Sequence, residues 1–282
     1  MTRAPPHDLA AFAPWLERWH LVPAGAPSRT RTGRFLAVTF RGEAALLKVV
    51  TEPEEKDGSR VLAWWEGEGA ARVLARSDDA VVLERALGSG SLTTLAHRGR
   101  DAEASTILCR VAATLHAKDP ADRPDSVVPL KTWFRALWPP ARSSGGILAH
   151  GAAVAKELLA GQDGTAVVLH GDLHHENVLD FGAKGWLAID PKGLYGERTF
   201  DYVNLLRNPD PGLALAPGRF ESQVAVIAQE ADLDPHRLLL WTLAFACLSA
   251  AWILNDGDDP AHDLAVAELA RVALAGGRGD AP

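Results

Sequence analysis

"VVLHGDLHHENVLDFGAKGWLAIDPKG", residues 167 to 193, holds three aspartates, three histidines and a literal Asp-Phe-Gly at 180 to 182. Its turn signals fold it into a hairpin. VLDF (178 to 181) and WLAI (186 to 189) flank GAKG, so a four-residue loop pairs Phe181 with Trp186 and Val178 with Ile189. That register sets Asn177 opposite Asp190. Directly opposed residues in an antiparallel pair have β carbons about 4.5 to 5.5 Å apart, so an amide oxygen and a carboxylate converge on one ion. Oxygen ligands of that kind suit Mg²⁺, which keeps waters and takes the rest of its shell from a nucleotide's phosphates.

Asp172 lies five residues before Asn177, the D-x-x-x-x-N spacing of a kinase catalytic loop, in which the Asp accepts a hydroxyl proton and the Asn reaches the metal. His170 and Gly171 stand where such loops carry His and Arg. The literal Asp-Phe-Gly is then a decoy. Asp180 follows Asn177 by three residues and sits at the lip of the turn, on the wrong end to meet the metal, so the metal-binding carboxylate is assigned to Asp190.

Upstream, RFLAVTFRGEAALLKVV (34 to 50) reads as two strands around a turn, and EPEEKDGSRVLAWWEGEG (52 to 69) as a helix with Pro53 in its first turn. AVVLERA, 80 to 86, is the next strand. LGSGSL (87 to 92) is a flexible connection, and the apolar-periodic segments beyond it are mostly helical, with 101 to 118 a clear helix and the Pro-, Arg- and Ser-rich 120 to 145 without a clear pattern. The expected architecture is α+β in two lobes: a sheet-based N-lobe over 1 to 86, a hinge at 87 to 92 and a helical C-lobe over 93 to 282. LLLWTLAFACLSAAWIL (238 to 254) carries no charge but falls short of the roughly 20 residues of a membrane span, and DPHR and NDGDDP flank it without anchors, so it reads as a core helix.

The blocks LHGDLHHENVL, GWLAIDPKGLYGERTFDYVNLLRNP and, downstream, LDPHRLL and ACLSAAWILNDG are similar to the streptomycin 6-kinase and hydroxyurea phosphotransferase group of the aminoglycoside phosphotransferase family. The resemblance implies a protein-kinase-like fold and transfer of the γ-phosphoryl of ATP to a hydroxyl of a small molecule, an antibiotic-resistance activity. It implies Asp172 as base and Asn177 and Asp190 on Mg²⁺. It further implies Lys48, in ALLKVV, as the phosphate-binding lysine, with Glu55 or Glu54 as its ion-pair partner, and a hinge at LERAL where backbone groups near Glu84 and Ala86 hold adenine. Asp201, which reads on its own as a cap for DYVNLLR, would brace the catalytic loop, and His170 would order it. The phosphate-covering loop departs from the kinase pattern, since SRTRTGRF has Gly33 alone. Only eleven positions separate Asp190 from Asp201, too few for a peptide-docking activation segment, so the acceptor is expected to be small.

Composition narrows the partners. The 282 residues carry 29 Lys and Arg against 36 Asp and Glu, a net charge of -7, which excludes the basic footprint of a nucleic-acid binder and favours a cationic or polar acceptor. Trp252 followed by Asn255, Asp256, Asp258 and Asp259 is a candidate aromatic and acidic wall for it. Cys109 and Cys247 lack any metal or disulfide spacing, and the N-terminus lacks the apolar core of a signal peptide, so a reducing cytoplasm is expected, with no membrane and no obligate protein partner. A zinc hydrolase built on His170, His174, His175 and Glu176 is disfavoured because His-Glu-x-x-His is absent. A kinase-like nucleotide-binding regulator without turnover is the alternative from another class.

Overall fold

The computed structural model describes residues 9–30, 33–50, 53–161 and 166–276, with the side chains of 53–55 outside that description. The N-terminal part forms an antiparallel sheet from β1 (Val22–Pro23), β2 (Ser28–Arg29), β3 (Gly33–Phe40), β4 (Glu43–Val50), β5 (Val73–Arg76) and β6 (Ala80–Glu84). Its order is β1-β3-β4-β6-β5, with β2 also pairing with β3. β3 and β4 join through Arg41 and Gly42 at φ 52° and 87°, the left-handed pair that matches strand twist in a two-residue turn.

Alternation decides which side of the sheet each residue serves. Leu36, Val38, Ala45, Leu47, Val49, Ala80 and Val82 face one way, onto Phe12, Leu21 and the short helix α1 (Ala13–Arg18), where Trp15 and Leu16 pack. Lys48, between Leu47 and Val49, therefore faces the other way, as do Val81 and Leu83. That second face meets α2 (Pro53–Trp65), whose Val61, Leu62 and Trp65 belong to the core shared with the C-terminal helices.

Gly58 sits where α2 crosses the chain after Asp190. A β carbon there would lie 2.0 Å from the carbonyl oxygen of Pro191. Alanine gains roughly 1 kcal/mol over glycine in a helix interior, but overpacking against backbone costs about 1–3 kcal/mol. Gly58→Ala is therefore expected to lower the urea midpoint at unchanged slope; a raised midpoint would mean that α2 moves freely off Pro191.

Residues 85–91 lead from β6 into a short helix, Leu92–His97, and then α3 (Asp101–His116). The C-terminal part adds α4 (Gly146–Ala160), α5 (Val203–Arg207), α6 (Arg219–Ala231), α7 (Pro235–Asp256) and α8 (Ala261–Gly276). α7 holds the uncharged stretch. Trp241 is fully buried against Phe134 and Phe200, and α4, α6 and α8 pack around the helix, so most of its apolar residues are buried within the protein. Asp234 caps it by accepting from the backbone of His236 and Arg237, Pro235 opens it and Gly257, at φ 81°, ends it.

Several short elements escaped the sequence. β5 lies between the expected helix and the next strand, where no element was expected, and the stretch 120–145 holds short helical turns plus β7 (Val128–Pro129). β7 joins β8 (Val167–Leu169) and β11 (Leu194–Gly196) in the order β7-β11-β8, while β9 (Val178–Asp180) and β10 (Trp186–Ala188) form the separate hairpin.

The hairpin register differs by one residue from the expectation. Asp180, Leu179 and Val178 pair with Trp186, Leu187 and Ala188, so Asn177 stands opposite Ile189, whose N–H donates to the Asn177 carbonyl at 2.9 Å, and not opposite Asp190. The cause is the Asp180 carboxylate, which accepts from the Gly182 N–H at 2.8 Å and draws Phe181 into a five-residue loop closed by Phe181 N–H on Gly185 O at 2.8 Å.

Candidate active site

A one-residue slip would turn Asp190 away from Asn177 if the strand continued. It does not: β10 ends at Ala188, and Asp190 takes a left-handed φ of 54°. The side chain is thereby returned to the cleft, where Oδ1 lies 2.9 Å from Lys48 Nζ. Lys48 is 4% exposed and stands over the Phe35 ring at 5.5 Å. Together with Ser59, Leu62, Val81 and Leu83 this pair lines a small cleft between sheet, α2 and hairpin. Glu54 and Glu55, the candidate partners of Lys48, lie outside the residues whose side chains are described, as does the tip of the phosphate-covering loop at 31–32.

A closed circuit of hydrogen bonds ties the loop to the hairpin. Asn177 Nδ2 donates to the Asp172 carbonyl at 2.8 Å, Asn177 O receives Ile189 N–H, Ile189 O receives His170 Nε2–H at 2.8 Å, and His170 Nδ1 accepts from Asp172 N–H at 3.2 Å. The partners define the tautomer: one ring nitrogen donates and the other accepts, which requires a neutral imidazole. Burial lowers the His170 pKa from its ordinary value, against the pull of Asp201 and Asp172, and so keeps the ring neutral. Trp65 stacks on it at 6.5 Å.

Asp201, 2% exposed, accepts from the backbone N–H of His170 at 2.8 Å and of Gly171 at 2.7 Å. Its Oδ2 also meets His116 Nε2 at 2.7 Å, a contact across 85 residues that no local pattern announces. Gly171 has φ +80° and no room for a β carbon beside Leu194, which explains a glycine where the kinase loop carries arginine.

The other two histidines point elsewhere. His175 is buried against Asp101, with Nε2 at 3.8 Å from its Oδ1, while His174 Nδ1 accepts from Glu176 N–H and its Nε2 lies 3.9 Å from Asp172 Oδ1. Burial lowers the His174 pKa and outweighs the opposing carboxylate of Asp172. The three rings do not share a centre, and no cluster of three or more His, Cys, Asp or Glu at metal-holding distance occurs among the described residues.

The donor set that remains fits a hard cation. The Asn177 amide nitrogen is spent on the loop, which leaves its oxygen without a hydrogen bond among the described residues, and the second oxygen of Asp190 is likewise unengaged. One carboxylate and one amide oxygen are too few to enclose an ion, but they suit Mg²⁺, which takes its other ligands from phosphates and water.

At the hinge the expectations divide. The Glu84 N–H is spent on Arg72 O at 3.0 Å, so Glu84 offers no donor to a base. Its carboxylate accepts from Arg72 N–H at 2.8 Å and pairs with Lys184 of the hairpin loop. Ala86 has no hydrogen bond on its backbone among the described residues and remains a candidate adenine contact. Asp180, the decoy, has a task of its own: its carbonyl receives Gly88 N–H and its Oδ2 receives Gly90 N–H, both at 2.9 Å, which clasps the hinge to the hairpin. The N–H groups of Gly90 and Gly182, which donate to the carboxylate, lower its pKa.

On the far side of Asp172, Asn204 Nδ2 lies 3.1 Å from Oδ1, Arg207 Nη1 lies 3.3 Å from Asn204 Oδ1, and the Arg207 guanidinium covers Phe245 at 5.8 Å. Trp252 follows, edge-on to Phe245 and Trp133 at 6.4 and 5.3 Å. Asp256 is exposed at the end of α7 and makes no hydrogen bond or ion pair with these groups among the described residues. A groove of about 530 Å³ beside Trp138 and Lys156 shares no residue with this cleft.

A small sheet over a helical body, with an aspartate loop tied to a hairpin and a lysine–aspartate pair across the cleft, defines a protein-kinase-like phosphotransferase. The chain belongs to the aminoglycoside/hydroxyurea antibiotic resistance kinase family, whose profile it matches over residues 18–257. It is 47% identical to the streptomycin 3''-kinase of Klebsiella pneumoniae, over 91% of this chain and 98% of the relative. It is 31% identical to the streptomycin 6-kinase of Streptomyces griseus, over 88% of this chain and 83% of the relative. The solved aminoglycoside phosphotransferase APH(3'')-Id of Streptomyces rimosus, in complex with ADP and streptomycin, shares the fold with a TM-score of 0.59 at 18% identity, covering 86% of this chain and 98% of that one.

Proposed function

We propose that the chain transfers the γ-phosphoryl of ATP to a hydroxyl of streptomycin or a closely similar aminoglycoside, as an antibiotic-resistance enzyme of the cytoplasm. The observation that carries the reading is the circuit through Asp172, Asn177, Ile189 and His170, which fixes the Asp172 loop against the hairpin that leads to Asp190. Asp172 takes the proton of the acceptor hydroxyl as its oxygen bonds to the γ-phosphorus and the bond to the bridging oxygen of ADP breaks. Asn177 and Asp190 hold Mg²⁺, which when bound neutralises charge on the nucleotide's phosphate oxygens. Lys48 adds a fixed cation on the sheet side, and Ala86 presents backbone groups to adenine.

Identity supports the acceptor class. The 47% match to a 3''-kinase, against 31% to a 6-kinase, favours the 3''-hydroxyl over the 6-hydroxyl. Streptomycin's two guanidinium groups suit a chain of net charge -7, and Trp252 with the acidic end of α7, Asp256 included, is the proposed wall against them. Two buried thiols, Cys109 and Cys247, each pushed up to about 12 by burial, suit a reducing compartment.

Purified protein is expected to release ADP when streptomycin is added, with product NMR placing the phosphate on the 3'' oxygen. ADP release with hydroxyurea and none with streptomycin or other aminoglycosides would overturn the acceptor assignment.

A further inference from the structure

Asn204 lies outside the D-x-x-x-x-N pattern, yet it touches the proposed base. It is 3% exposed on α5, three residues after Asp201 and so on the same side of the chain, and its Nδ2 stands 3.1 Å from Asp172 Oδ1. Which end of the amide faces Asp172 is settled by its other neighbour. Arg207 Nη1 reaches Asn204 Oδ1 at 3.3 Å, and a guanidinium has donors only, so the amide oxygen must face Arg207 and the NH₂ must face the carboxylate. Arg207 is itself held. Its Nη2 pairs with Asp263 at 2.6 Å, Asp263 is 1% exposed, and the Arg207 carbonyl receives His262 Nε2–H at 3.0 Å.

We infer that Asn204 is a positioning residue for phosphoryl transfer: its NH₂, oriented by Arg207 and Asp263, engages one oxygen of Asp172 and leaves the other turned to the acceptor. The second oxygen, Oδ2, meets Asn177 Nδ2 at 3.5 Å, too long for a strong hydrogen bond, and is the freer of the two. Without Asn204 the carboxylate can rotate about its side-chain bonds, and the proton acceptor leaves its line with the attacking hydroxyl.

The inference rests on Asp172 as the base, and the test separates the two. Asn204→Asp keeps the size and still accepts from Arg207 but offers no donor to Asp172; Asn204→Leu removes the donor without adding charge. With streptomycin as acceptor, both full-length variants are expected to lose roughly 10- to 100-fold in kcat while the KM values for ATP and streptomycin stay within about twofold. Asp172→Asn is assayed beside them. If it is inactive and both Asn204 variants keep their kcat, or lose only KM, the positioning role is overturned and the base stands. If Asp172→Asn turns over normally, the base assignment itself falls.

Discussion

Asp172→Asn is expected to bind Mg²⁺ and ATP as the unchanged protein does, and to lose phosphoryl transfer by about 10²- to 10⁴-fold, the range that a positioned general base contributes. The separation follows from what each atom of the residue does. The backbone N–H of Asp172 holds His170 Nδ1 and its carbonyl receives Asn177 Nδ2, and neither changes when the carboxylate becomes an amide. The new amide oxygen can still accept from Asn204 where Oδ1 does now. Asn177 and Asp190 keep their places, so nucleotide binding persists while proton acceptance is lost. The measurement is acceptor-dependent ADP release beside a nucleotide titration. Normal turnover would reject the base; unchanged protein that binds nucleotide but releases no ADP with any acceptor would instead favour a regulator on the same fold.

Much of this site could be read from the sequence because its parts lie within one stretch. Asp172, Asn177 and Asp190 fall inside 19 positions, and spacing alone brings them near one another. The hairpin register was off by one because the Asp180 side chain competes for a loop N–H, an effect that paired hydrophobic residues do not reveal. Asp190 nonetheless returns to the cleft through a single left-handed residue, which no propensity signals for an Asp followed by Pro. The strands of the β7-β11-β8 sheet are two or three residues long, too short for alternation to register. The partners of His116 and Glu84 were hidden for a further reason. Each acts on a partner far along the chain, His116 on Asp201 and Glu84 on Lys184, and such pairs exist only after folding. Asn204 alone left a trace: it stands three residues after Asp201, the spacing that puts two side chains on one face of a helical segment.

Asp190→Ala should weaken Mg²⁺-dependent nucleotide binding by at least the roughly 10- to 100-fold that losing even an outer partner of a metal ligand costs. Two losses coincide. A carboxylate proposed to hold the ion disappears, and Lys48, 4% exposed, loses the oxygen now 2.9 Å from its ammonium, so its position on the phosphates loosens as well. Asp180→Ala provides the contrast, because its carboxylate serves Gly90 and Gly182 on the hinge side of the hairpin. Removing it loosens the clasp between hinge and hairpin but touches no proposed ligand, so affinity should fall less, and equally with and without Mg²⁺. Titrating ADP into both variants over a range of Mg²⁺ distinguishes them. A stronger Mg²⁺-linked loss in the Asp180 variant would restore the literal Asp-Phe-Gly as the metal site and reverse the roles of the two ends of the hairpin.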